Sequence, residues 1–309
     1  MVRPGGPDRL PGEGDFLAEW QRLRRRQIAA LRDEAARTAS GRSNHSVMLP
    51  SGDEPKAVEA RAVLLHELAV RGWEPRATPG HEQRWAEFAD RGHPLFRLPP
   101  ELRPIESTIP QHLSRYGPAG SHVPHPAWIQ PYPLPTRGHV LCHVTGAVEP
   151  VPESPAWAAA RAWRDESNGH LEARELALAG PFGETEEWVG WFESLPLRST
   201  ASAGVHRGTV GPLTAQDAFR KLFTAAQSGG AYGPPHGSAY ARLHAWESFG
   251  WLAGAAPDAQ VSAIAALADR CRWYTFDSNW FYHIAWDLGL IAVRPDGRSV
   301  AVLAASDTD

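Results

Sequence analysis

Apolar and polar positions recur along this chain with two periods, and the clearest pattern lies between Cys271 and Asp309. The short aromatic run Arg272 to Phe276, bounded by Asp277 and Ser278, predicts a strand followed by a helix N-cap. From Asn279 onwards Trp280, Phe281, Ile284, Ala285, Leu288 and Ile291 recur at intervals of three and four, which predicts a helix with one buried face. Pro295 and the Asp296-Gly297 turn end it near Arg294. Val300 to Ala305 is apolar without alternation, as in a strand covered on both faces. A competing reading makes Leu288 to Val302 a β-hairpin around the Pro-Asp-Gly turn; the helical spacing upstream favours the first.

The same reading orders the rest of the chain. Residues 1–15 are Gly/Pro-rich and polar and are expected to form a disordered tail. An N-terminal helical region, 16–95, contains helices at Phe16–Thr38, Glu59–Arg71 and His81–Ala89. The segment 96–155 is irregular, because its prolines exclude long helices and central strands. Further helices are expected at Ala156–Glu166, Glu184–Leu195, Thr214–Gln227, Ser238–Ala253 and Pro257–Asp269. The run HLEAREL places His170, Glu172 and Arg174 on one face of a strand. The expected fold is therefore α+β, mostly helical, with a small sheet formed by strands near 170–178, 271–277 and 298–305. Residues 156–309 form its core, one compact domain with 59–95.

Composition narrows the class. The 309 residues carry a net charge of −4, with lysine only at positions 56 and 221 and arginine supplying the rest of the positive charge. Such a balance provides no global drive toward nucleic acid or acidic lipid. Two cysteines, Cys142 and Cys271, make no disulfide framework, and free thiols point to a reducing, cytoplasmic compartment. No apolar run approaches the ~20 residues that span a bilayer, so no membrane association is expected. Thirteen tryptophans are explained most simply by an indole-rich core. The basic cluster Arg22, Arg24, Arg25 and Arg26 reads as a solvated helix face, since Asp33 and Glu34 follow within two turns.

Recognised chemical motifs are absent. His66-Glu67 opens like a zinc-protease helix, but position 70 is Val where the second His is required. His122, His125, His139 and His143, with Cys142 between the last two, have zinc-like local spacing and are weak metal candidates without a second Cys pair. Ser228 to Gly237 is glycine-rich, yet it follows a helix where nucleotide-binding loops follow a strand. No cofactor is predicted.

Four stretches carry a family resemblance: LLHELAVRG at Leu64–Gly72; WRDESNGHLEAREL at Trp163–Leu176; AFRKLFTAAQSGGAYG with SAYARLHAWESFGWLAGA, between Ala218 and Ala255; and Trp273 to Asp309. Together they resemble the DUF6183 family of uncharacterised bacterial proteins. The resemblance implies no activity. It does pick out Glu166, Asn168, Glu172, Arg174, Tyr232, Tyr240, Arg242, Trp246, Asp277, Trp286, Asp287, Asp307 and Asp309.

Two functions compete. The slightly favoured one is a non-catalytic protein-binding or regulatory protein of the immunity kind, with an unknown protein partner and with Tyr232, Tyr240, Arg242, Trp246 and Asp287 as binding residues. The alternative is an enzyme, a divalent-metal-dependent hydrolase among the possibilities, with a cleft built from Glu166, Glu172, Arg174, Asp277, Asp307 and Asp309. Convergence of these carboxylates in one cleft would favour the enzyme.

Overall fold

The computed structural model describes residues 55–72, 85–86, 92–110, 143–182, 191–192, 194–200, 209–232, 237–283 and 286–308. The chain divides into two units, 1–64 and 65–309. The first is described along the opening of helix α1 (Pro55–Ala69), which continues into the second. The sheet and the remaining helices belong to the second unit.

Its frame is a six-stranded antiparallel sheet of β1 (Val144–Val148), β2 (His170–Leu178), β3 (Thr209–Leu213), β4 (Arg272–Asp277), β5 (Trp286–Val293) and β6 (Ser299–Asp307). The order across the sheet is β1-β2-β6-β5-β4-β3. One face is covered by α2 (Arg161–Asp165), α3 (Ala215–Ser228) and α4 (Ser238–Ala253), with α5 (Val261–Ala268) against α4. The other face carries an apolar cluster in which Leu176, Phe276, Ile291, Val300 and Val302 meet Phe182, Trp191, Phe192 and Leu195.

The helices follow from local chemistry. The hydroxyl of Thr214 accepts the Asp217 N–H at 3.0 Å and caps α3, while Gly229 at φ 70° closes it in the left-handed conformation. Phe219, Leu222, Phe223 and Ala226 then lie buried at helical spacing. Helix α4 is apolar on most of its circumference because it is packed between α3, α5 and the sheet. Its Phe249 stacks on Trp273 of β4 with centroids 4.7 Å apart and planes inclined by 10°.

The fold departs from the expected one in its balance and in several elements. It is a mixed α+β fold built on a six-stranded sheet, and a mostly helical chain with a small three-stranded sheet is not supported. Of the helix expected from Asn279 to Arg294, the opening residues form a turn closed by the Phe281 N–H on the Ser278 carbonyl, Trp286–Val293 form β5, and the hairpin β5–β6 runs around Pro295-Asp296-Gly297. In that turn Asp296 Oδ1 accepts the N–H groups of Arg298 and Ser299, and Gly297 has φ 65°. Strand β5 lies between β4 and β6 and is buried on both faces, so Leu288 to Val293 show no polar alternation. A continuous apolar run satisfies a helical template as readily as a strand. Strand β1 falls within the segment expected to be irregular, and β3 was not expected. The helix expected over Ala156–Glu166 is a 3-10 turn, Pro155–Trp157, followed by α2. The expected tail 1–15 and helix 16–38 lie outside the described residues.

Candidate functional site

The polar residues singled out by the sequence gather mainly at one end of the sheet, where β2 and β5 begin and β4 and β6 finish. Register brings His170 opposite Ser306, Asp287 opposite Ser306, and Trp286 opposite Asp307. Side chains alternate between faces along each strand. Glu172, Arg174, Asp287 and Ser306 therefore share the face of the apolar cluster, together with His170. Asp277 and Asp307 face the helices. The proposed carboxylate set is thus split between the two sides of the sheet.

The buried carboxylates at this end are occupied by the main chain. Glu172 accepts the N–H groups of Arg198 at 3.1 Å and Ser199 at 2.6 Å. Asp287 accepts the Ser306 hydroxyl at Oδ1 and the His283 N–H at Oδ2, 3.0 Å away. Ser306 Oγ in turn accepts the Tyr282 N–H at 3.0 Å. On the opposite face Asp307 accepts the Ala231 N–H at 2.7 Å and that of Thr308 at 2.9 Å. Apart from the Ser306 hydroxyl, which ties β6 to β5, these bonds hold chain that leaves the sheet end, so the acids act as loop anchors.

What the anchored loops present is aromatic and ionisable. Tyr232 is 62% exposed and Tyr282 43% exposed, the former beyond Asp307 and the latter beyond Ser306. Adjacent strand residues point to opposite faces, so the two tyrosines straddle the end of β6. His170 is half-buried against the Trp280 ring at 4.0 Å and the Tyr282 ring at 4.8 Å. Burial lowers its pKa from the ordinary histidine value, against the opposing pull of the Trp280 carbonyl, Asp287 and Asp307. His283, with φ 58°, is the one described non-glycine residue in the left-handed region. Its Nε2 lies 2.7 Å from Asp277 Oδ1, which also accepts the Ser278 N–H. Lys221 of α3 is nearly buried, and desolvation, then Arg220, lowers its pKa to about 8 against the opposing charges of Asp217 and Asp277.

The remaining sequence candidates lie elsewhere. Arg242 and Trp246 of α4 are buried around Glu106: Arg242 Nη2 donates to Glu106 Oε2 at 2.8 Å, its Nε to Oε1, and Trp246 Nε1 to Oε1 at 3.0 Å. Arg242 also donates to His66 Nδ1 and to the carbonyls of Pro99 and Glu101, so all five of its N–H groups are used. Since His66 Nδ1 accepts there, its Nε2 carries the proton and donates to the Leu95 carbonyl at 2.9 Å. Burial, then the Arg242 charge, drives the His66 pKa well below the ordinary value. Arg174 pairs with Glu149 at 2.8 Å, Glu166 is exposed at the end of α2, and the Tyr240 ring lies 6.2 Å from that of His244. His143 is exposed just before β1, whereas Asp309, His122, His125 and His139 lie outside the described residues. Among the described residues no group of three His, Cys, Asp or Glu side chains is placed to hold a metal ion.

Sequence reading missed His283, Tyr282, Ser306 and Lys221 as members of this end. Ser306 and Asp287 become neighbours only through the β5–β6 register, which the helical reading of 279–294 conceals. His283 and Tyr282 sit in the turn between β4 and β5, where no periodicity marks them.

No curated protein and no solved structure matches the chain. The model of the family of unknown function DUF6183 matches residues 13–309, nearly the whole chain, which therefore belongs to that family.

Proposed function

We propose that this is a non-catalytic protein-binding or regulatory protein whose contact surface is the tyrosine-bearing end of the sheet. The observation that carries this reading is the use of the buried acids. Glu172, Asp287 and Asp307 spend their oxygens on loop N–H groups and one hydroxyl, on both faces of the sheet. Acids committed in this way hold the loops at this end of the sheet in shape. The surface they hold carries two exposed tyrosines on pinned loops, and rigid tyrosines are favoured anchors in protein interfaces. Among the described residues no helix is long and apolar enough to cross a membrane, and Cys271 is a buried free thiol, which fits a reducing cytoplasm.

The test is affinity capture with the wild-type chain and a Tyr232→Ala/Tyr282→Ala double variant of matched thermal stability. A partner held by the wild type and lost at least tenfold in the variant supports the reading; equal capture by both overturns it. A thermal shift on adding Mg²⁺, Mn²⁺ or Zn²⁺ would favour the metal-dependent hydrolase instead.

A further inference from the structure

We propose that the cleft bounded by α4, α5 and the Val151–Pro155 turn binds a small monoanion with an apolar body, the chemical class of medium-chain or aryl carboxylates. The cleft encloses about 600 Å³ and lies apart from the tyrosine-bearing sheet end. That volume is within the range of roughly 300–1,000 Å³ seen for ligand pockets. Its walls are apolar: Leu98, Leu243 and Trp246 are buried at its base, while Ile264 and a half-buried Trp251 complete the sides.

The polar groups at the rim select the charge of the occupant. Four ionisable side chains line it: Arg97, Arg161, Glu153 and Glu247. Arg97 is already paired with a carboxylate, lying 3.8 Å from Glu247, which His244 also approaches at 3.2 Å, and it donates to the Pro257 carbonyl at 2.7 Å. Arg161 is not. It makes one hydrogen bond, from Nη2 to the Ser154 carbonyl at 3.2 Å, which leaves Nη1 and the second Nη2 N–H to meet an occupant of the cleft; its Nε, also without a partner, is buried too deeply to be reached from it. Among the described residues no carboxylate pairs with it. A guanidinium beside an apolar cleft with part of its donor fork unused is a receptor for one carboxylate head. A second negative charge is disfavoured, because Glu153 and Glu247 share the rim and Arg97 is committed.

Calorimetric titration of the full chain with decanoate, decanol and decyl phosphate tests this. The expected result is saturable decanoate binding at least tenfold tighter than decanol or decyl phosphate. Arg161→Gln should erase the preference for decanoate over decanol while leaving decanol binding unchanged, and Ile264→Trp should fill the cleft and reduce binding of all three. Arg161 is partly exposed on a short helix, so Arg161→Gln is the milder change and suffices if the Ile264 variant is poorly folded. Absence of decanoate binding, equal affinity for decanoate and decanol, tighter binding of decyl phosphate, or an undiminished decanoate preference in Arg161→Gln would each overturn the proposal.

Discussion

Gly230 and the Asp307 carboxylate are packed so closely that no side chain fits between them: a Cβ on Gly230 would strike Oδ2, and Gly230 has φ 85°. The glycine lets the chain turn past the end of β6 so that the next residue, Ala231, can donate to Asp307. Gly230→Ala should therefore lose about 1–2 kcal/mol for the left-handed backbone and about 1–3 kcal/mol more for the displaced buried carboxylate. Gly92, at φ 66° with nothing within 4 Å of its would-be Cβ, is the control, and Gly92→Ala should show the backbone cost alone. Urea unfolding of both variants measures the difference.

Arg242→Met should be among the most damaging single changes in the unit. It leaves the Glu106 carboxyl fully buried, with only the Trp246 and Arg103 N–H groups to face it. Removing one partner of a buried pair costs about 3–5 kcal/mol. The double variant Arg242→Met/Glu106→Leu should recover part of that loss in the same unfolding experiment, because no buried acid is then left without its partner.

His66 makes stability depend on acidity. In the folded chain it stays neutral well below the usual histidine range, whereas in the unfolded chain it gains a proton near pH ~6.5. The unfolded state then binds more protons, so this contribution is complete above about pH 6.5 and declines as pH falls below it. Unfolding free energies measured from pH 7.5 to 5 should fall more steeply for the wild type than for His66→Gln.

Lys221 acts at the alkaline end. Its folded pKa of about 8 lies below that of the unfolded lysine, ~10.4, so between these values the unfolded chain holds more protons and stability rises with pH. Compared with Lys221→Met, the wild type should gain stability from pH 8 to 10, and the two profiles should run parallel below pH 8. A constant difference across the whole range would contradict the assignment.

The parts of this architecture that could be read in advance are those whose residues carry their own punctuation. Thr214 with Asp217 opens α3 and Gly229 closes it, and the alternation of HLEAREL marks β2 with His170, Glu172 and Arg174 on one face. Strand β5 could not be read this way, because Leu288 and Leu290 point to the helices while Ile291 and Val293 point to the apolar cluster, and both sets are buried. The error propagated to the candidate site. A helical reading of 279–294 removes the strand parity that puts Asp287 beside Ser306 and separates it from Asp277. Strand β3 was hidden by Pro212, a residue tolerated there because β3 lies at the edge of the sheet. Arg242 and Glu106 carry no local sign that they meet, being brought together only by packing.

Strand β6 follows every other strand in the chain, yet it is inserted between β2 and β5. On the ribosome, β2 emerges with its inner edge open and must wait for everything from Leu178 to Ser299 to be made before its neighbour exists. At ~5–20 residues per second that interval is on the order of ten seconds. Throughout it an unpaired edge bearing Leu171, Ala173 and Leu176 is available to other nascent chains, so yield during expression should depend on translation speed and on holdase chaperones more than on the stability of the finished fold.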